Sequence, residues 1–263
     1  MVKDFVFDKV ALSDLGYIAV FQSSEEQVVV SEMSLNTVKG ARSDKSHATS
    51  YTYPNNYSDT FMILKNPCEY NDDEMDLTNK EISELIKWLC RKEYKWFRFV
   101  DDDDDDEIWY EVKFDAKKEY AGERVIGLSL TVEANTPYGF TKEKTRKYTA
   151  SPMKIKVHSD EEGYIYPTVR ITLRQGGNLV LTNTFENRST TLKNCVNNET
   201  IVLYGDDLQQ IVSSNPNHDY VTEFNYKFPR LCNKYNEYLN TFTSNLPCDI
   251  SFTYREIRKV GME

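Results

Sequence analysis

His218 and Asp219, with Ser213 and Ser214 just before them, are the nearest approach to a nucleophile–base–acid set in this 263-residue sequence. A hydrolytic triad needs a histidine to take the serine proton and a carboxylate to fix the imidazole. Here the four residues share an Asn-rich loop, and no G-x-S-x-G turn presents the serine. A triad is therefore not expected here. His47 and His158 lie far away, and none of the three histidines has zinc-motif spacing. Residues 101–106, all aspartate, are the foremost cation candidate, because clustered carboxylates suit hard metals. They break the calcium-loop register: counting from Asp101, position six is Asp106 where glycine is needed, and position twelve is Val112 where glutamate is needed. A like-charge run of this kind repels itself and stays in water. Cys68, Cys90, Cys195, Cys232 and Cys248 show no C-x-x-C spacing and read as free, buried thiols. No glycine-rich phosphate loop is present, and with 42 acidic residues a pair of carboxylates carries no information. The expectation is therefore no catalytic, cofactor-binding or metal-binding residues, and no enzyme.

Composition narrows the classes further. The formal net charge is −10 and the sequence pI about 5.0. That excludes a protein that coats nucleic acid, which needs a basic face to displace counterions. No stretch approaches the ~20 apolar residues of a membrane helix. The first ten residues carry charges and no apolar run, so no signal peptide is expected, and the chain reads as soluble and made in a cytoplasm. The glycosylation patterns at Asn56, Asn187 and Asn198 then read as chance. Aromatic residues make up 13% of the chain, with 18 Tyr and 13 Phe, which favours strands.

The elements that would position these residues are mostly strands. One helix stands out over residues 79–91. Thr78 and Glu81 make a capping box, Leu77 and Ile82 suit the hydrophobic staple, and Ile82, Leu85, Ile86 and Leu89 line one face. The pattern predicts the helix end near Arg91 or Lys92, where basic side chains complement the dipole. Strands are predicted over residues 5–7, 17–21, 27–32, 61–64, 94–100, 108–114 and 124–133, with the acidic run as the tip of a hairpin. Residues 37–59 lose the apolar pattern and are too long for an ordinary connection, so they read either as an extended arm or hairpin leaving the body or as a mobile loop, and the arm is the expectation. Asn135, Thr136, Pro137, Tyr138 and Gly139 form a turn cluster that closes this half. Later strands, predicted at 154–157, 167–173, 179–183, 189–192, 201–204, 238–243 and 250–255, are short and evenly spaced, as in a β-sandwich.

Several ordered pieces make the whole chain resemble the distal tail protein (Dit) family of siphophages. In the first half they are Leu85-Ile86-Lys87-Trp88-Leu89 running into Tyr94-Lys95-Trp96-Phe97, and Glu133-Ala134-Asn135-Thr136-Pro137-Tyr138-Gly139. In the second half they are Tyr166-Pro167-Thr168-Val169-Arg170-Ile171, Thr200-Ile201 with Gly205-Asp206, and Asn225-Tyr226-Lys227-Phe228-Pro229-Arg230-Leu231. The ending is Phe252-Thr253-Tyr254-Arg255-Glu256-Ile257-Arg258. The resemblance implies a mainly β (α+β) fold: an N-terminal β-sandwich with one helix and a projecting hairpin, then a galectin-like β-sandwich. The corresponding domains are residues 1–138, a linker at 139–150, and 151–263; residues 141–149, charged and without apolar period, read as the connection or as the first edge of the second domain. It implies a non-enzymatic hub of the tail tip, located at the distal end of the virion tail, without cofactors. Its partners would be five further copies in a hexameric ring, the tail tube protein, the tail-associated tip protein and, in many members, receptor-binding proteins. No family role attaches to the acidic run. The competing reading is a monomeric carbohydrate-binding β-sandwich module. Trp88, Trp96 and Trp109 all fall in the first half, where core packing is their expected role. Whether the strand at 250–260 completes the second sandwich or returns to the first is open from the sequence.

Overall fold

The computed structural model describes residues 2–21, 33–40, 44–53, 55–100, 107–205, 209–234 and 239–259. The strand expected at 27–32 and the aspartate run at 101–106 lie outside them. The chain divides into two compact units, residues 1–141 with 259–263, and residues 142–258. No helix among the described residues is long and apolar enough to cross a membrane.

The first unit contains strands β1 (Val2–Phe7), β2 (Val10–Ala11), β3 (Tyr17–Val20), β4 (Ser34–Lys39), β5 (Ser46–Thr52), β6 (Ser58–Lys65), β7 (Lys95–Val100), β8 (Ile108–Ala121), β9 (Arg124–Ala134) and β10 (Gly139–Thr141), and helix α1 (Asn79–Leu89). Pairing runs β2-β1-β3-β6-β9-β8-β10, and β7 pairs with both β1 and β8. Side chains from strands that do not pair meet across the interior. Phe5 of β1 lies 5.6 Å from Phe61 of β6 and 5.9 Å from Phe114 of β8, ring to ring. The sheet is thus folded over an aromatic core. The alternation predicted from the sequence puts Phe5, Phe61, Phe97 and Phe114 on the same side, all buried. The antiparallel β7–β8 pair flanks the acidic run, with Phe97 opposite Tyr110.

Helix α1 begins as the sequence requires. The Thr78 hydroxyl accepts from the Glu81 N–H, and the Glu81 carboxylate accepts from the Thr78 N–H at 2.7 Å. Ile82, Leu85 and Leu89 are buried in the same core as Leu77. The helix stops at Leu89, two residues short of the predicted end, because Cys90 leaves helical ψ while still bonding the Ile86 carbonyl. Trp88 lies against Phe5, rings 5.9 Å apart and nearly parallel.

The second unit contains β11 (Lys144–Tyr148), β12 (Met153–Lys156), β13 (Gly163–Ile165), β14 (Thr168–Leu173), β15 (Gly177–Asn183), β16 (Arg188–Cys195), β17 (Thr200–Leu203), β18 (Ile211–Ser213), α2 (Tyr220–Glu223), β19 (Leu231–Asn233), β20 (Leu239–Ser244), β21 (Cys248–Tyr254) and β22 (Ile257–Arg258). A five-stranded sheet ordered β11-β21-β14-β17-β18 faces a four-stranded sheet ordered β12-β20-β15-β16. Phe242 and Phe252, one from each sheet, touch at 4.8 Å in the core between them. Strand β21 pairs with β11 on one side and β14 on the other, so it completes this second sandwich. Residues 139–150, expected as a connection, hold β10 and β11. Of the two readings of residues 141–149, the edge of the second domain is the one observed; the pattern did not decide, because β11 is an edge strand whose Thr145, Arg146 and Lys147 face solvent. The mainly β class expected from the sequence is the class observed.

Candidate functional site

Strands β4 and β5 pair only with each other, and every residue of both is exposed. This is the arm read from residues 37–59, but its limits differ. Its paired strands are Ser34–Lys39 and Ser46–Thr52, whereas Ser58 and Asp59 already pair with Glu133 and Val132 of the body. Leu35, Val38 and Tyr51 are each more than half exposed on it. A two-stranded ribbon in water is marginally stable alone. This one carries local ties: the Asn36 amide donates to Ser50 Oγ at 3.0 Å, and Thr49 donates to the Asn36 carbonyl. A row of rings ties its root to the body. Tyr51 meets Tyr53 at 6.0 Å, Tyr53 meets Tyr138 at 6.1 Å, Tyr138 meets Phe140 at 5.6 Å and Phe140 meets Trp96 at 5.7 Å. The Lys259 ammonium sits 5.3 Å above Tyr53. The ribbon thus holds apolar and aromatic side chains in water on a fixed root.

The residues that the sequence offered for catalysis do not converge. Ser213 donates to Glu199 at 2.6 Å, and the Ser214 oxygen accepts from Thr200 N–H. Asp219 caps α2 by accepting from Val221 N–H. His218 bonds none of these three. Its Nδ1 lies 2.5 Å from Glu223 Oε2 and its Nε2 2.7 Å from Glu199 Oε1. Both ring nitrogens are enclosed, with 1% of the side chain exposed. Burial alone would push the imidazole pKa down; the hydrogen bonds to Glu223 and Glu199 outweigh it and raise the value. Sequence reasoning missed Glu199 and Glu223, because they stand 19 and 5 positions from His218 with no motif between.

Cys195 brings a sulfur into the same neighbourhood, and the Cys195, Glu199 and His218 donor atoms lie within 4.8 Å of one another. The contacts are those of hydrogen bonds. Two ligands of a tetrahedral zinc stand about 3.3 Å apart, given metal–ligand distances near 2.0–2.1 Å, and the nitrogen–oxygen separation here is 2.7 Å. The Cys195 thiol donates to the Leu192 carbonyl, and burial pushes its pKa up to about 11. Cys68 and Cys90 are exposed while Cys195, Cys232 and Cys248 are buried, and all five are free. The expectation of buried thiols therefore fails for two of them, which sit after β6 and at the end of α1.

Lys65, Glu256 and Arg230 are engaged in holding the fold. Lys65 donates to the Glu74 and Asp76 carbonyls at 2.7 and 3.0 Å and to Glu81 at 2.8 Å. Glu256 accepts from Lys144 at 2.6 Å and from His158 N–H at 3.1 Å. Arg230 makes a bidentate pair with Glu186 at 3.0 Å and stacks 3.5 Å over Tyr164. Gly205 passes so close to the Tyr166 and Pro167 carbonyls that a Cβ there would overlap them.

Comparisons with known proteins give a consistent picture. A model described as the phage tail protein N-terminal domain matches residues 1–136, and one described as the phage tail C-terminal domain matches residues 138–254. No curated protein matches the chain. Among solved structures, the chain is similar to the SPP1 Dit (gp 19.1) protein, described as a paradigm of hub adsorption apparatus in phages that infect Gram-positive bacteria. The identity is 16%, the TM-score 0.67, and the match covers 97% of this chain and 99% of that one. It is also similar to a chain of the phage P2 baseplate in its activated conformation with calcium, at 7% identity and a TM-score of 0.58, covering 99% of each. A strontium form of the phage p2 baseplate matches at 9% identity with the same score and coverage.

Proposed function

Since this chain belongs to the phage tail protein family along both of its halves, we propose that it is a non-enzymatic hub, six copies of which close into a ring. That ring joins the tail tube to the tip and receptor-binding apparatus at the distal end of the virion tail. Residues 1–138 form the ring, and the second unit, residues 142–258, is a galectin-like sandwich directed outward. The observation that carries the reading is the β4–β5 pair, exposed at every position of both strands and rooted in the body by a row of aromatic rings. Such an element gains its stability from what covers it. A subunit with two different contact surfaces makes head-to-tail contacts, and these close into a ring when the rotation permits. Six copies carry six times the −10 of one chain, so assembly needs apolar and aromatic contact area and benefits from salt screening.

The test is the mass in solution at moderate salt, followed by electron microscopy, for the intact chain and for a chain lacking the hairpin. The deletion belongs at residues 34–52, since removing Ser58 and Asp59 would also strip pairs from β9. The expected result is a hexameric ring for the intact chain, alone or with the cognate tube and tip proteins. The deleted chain stays folded and makes no ring. A strict monomer under all of these conditions defeats the hub and promotes the carbohydrate-binding module.

A further inference from the structure

We propose that Glu199, His218 and Glu223 form a proton-held clamp that fixes the strap covering the outer edge of β16, and that loss of one proton from His218 releases it. The geometry requires the proton. A neutral imidazole has one N–H and one acceptor nitrogen, and an ionised carboxylate only accepts. His218 faces a carboxylate oxygen at each nitrogen, at 2.5 and 2.7 Å. Two such contacts need two protons among three groups. Glu199 already accepts from the Val196 N–H at 2.7 Å and from the Ser213 hydroxyl at 2.6 Å. Glu223 accepts from the Asn194 amide at 2.6 Å. Both carboxylates are thus solvated as anions, and the extra proton belongs to the imidazole.

The groups facing His218 come from every element around it. Glu199 stands between β16 and β17, Ser213 ends β18, and Glu223 and Tyr220 belong to α2. Tyr220 stacks on the imidazole at 5.7 Å. Asn194 and Cys195 end β16, and Cys195 feels both carboxylates. Immediately after Glu223 the chain lies along β16. Phe224 bridges Leu192, Asn225 N–H donates to the Thr191 carbonyl, and its side chain bonds Ser189 and Thr191. Thr190 then donates to the Lys227 carbonyl and Arg188 to that of Phe228. This strap covers a sheet edge that would otherwise offer unpaired groups to another chain. The clamp is its N-terminal anchor.

The sign follows from the raised imidazole pKa. The stabilisation is complete below the unfolded histidine pKa and is lost as pH rises through the folded one. Glu223 is held below its usual range first by Asn194 and then by His218, so its share is lost only as the solution becomes acidic. The experiment is nitrogen NMR of the imidazoles in the intact protein, with amide exchange at Thr191 followed over the same pH series. The expected result is a His218 ring doubly protonated at neutral pH, titrating above a histidine reference peptide. Thr191 should lose at least ~10-fold of its protection, taken relative to the intrinsic exchange rate at each pH so that base catalysis is removed, once that proton is lost. Glu223→Gln leaves the fold in place and moves the His218 titration down; His218→Gln makes Thr191 exchange fast and independent of this titration. A singly protonated His218 at neutral pH overturns the proposal. So does cobalt binding with a thiolate charge-transfer band that Cys195→Ser abolishes, since that identifies a metal site instead.

Discussion

Replacing Lys65 by methionine removes a charge whose partners are all visible. The methionine keeps most of the stem volume and deletes the ammonium. The Glu74 and Asp76 carbonyls lose a donor each, and Glu81 loses its cation. Removing one partner of a buried ion pair costs about 3–5 kcal/mol. Glu81 retains its bonds from the Thr78 N–H and hydroxyl and is a quarter exposed, which places the expected loss near the lower end, about 3 kcal/mol. The assay is denaturant unfolding read by tryptophan fluorescence. All three tryptophans lie in the first unit, so the signal reports that unit alone. The pH profile adds a second readout. Burial pushes the Glu81 carboxyl up, but bonds from Lys65 and Thr78 win and hold it below its usual value near 4.5. Its contribution is therefore present above that value and lost as pH falls through the folded one. The variant should show a shallower acid limb. A loss under ~0.5 kcal/mol, within the range of ordinary surface substitutions, or an unchanged acid limb, would refute the reasoning.

Leu89→Ala should cost the first unit about 2–5 kcal/mol in the same assay, because Leu89 is fully buried between helix and sheet. Leu85→Ala should fall in the same range; losses below ~0.5 kcal/mol for both would mean that the helix is not packed through this face. Gly205→Ala should destabilise the second unit by about 3 kcal/mol, the upper end for an overpacked site, as a lower calorimetric melting temperature, since the backbone of Tyr166 and Pro167 occupies the space. EDTA should leave melting temperature and assembly unchanged, given the missing glycine and glutamate in the aspartate run; a fall of several degrees reversed by calcium would contradict this.

The sequence by itself determined the local structure. Thr78 and Glu81 fixed the start of α1, since a capping box is a contact between residues three apart. Alternating Phe and Val residues fixed the strands, because side chains two apart share a face. The order of motifs along the chain was enough to suggest the family, whose N- and C-terminal domain models match. The edge strand β11 stayed undecided between connection and domain edge, because a strand that faces water on most of its positions has no apolar signature. The role of the second-half motifs also stayed hidden. Asn225, Phe228 and Arg230 read as a recognisable phrase, and only the folded chain shows that they strap an edge and lock Glu186.

Tertiary structure alone decided the charged clusters. Lys65 and Glu81 are 16 residues apart and Glu256 is 112 from Lys144, so their pairing depends on how strands return. The residues that sequence spacing offered as a triad were sent to separate tasks. Ser213, Ser214 and Asp219 each satisfy backbone or side-chain partners that the turns bring to them, and His218 went to two glutamates instead. Local sequence fixes what a residue is able to bond, and the crossing of distant strands fixes which partner is within reach.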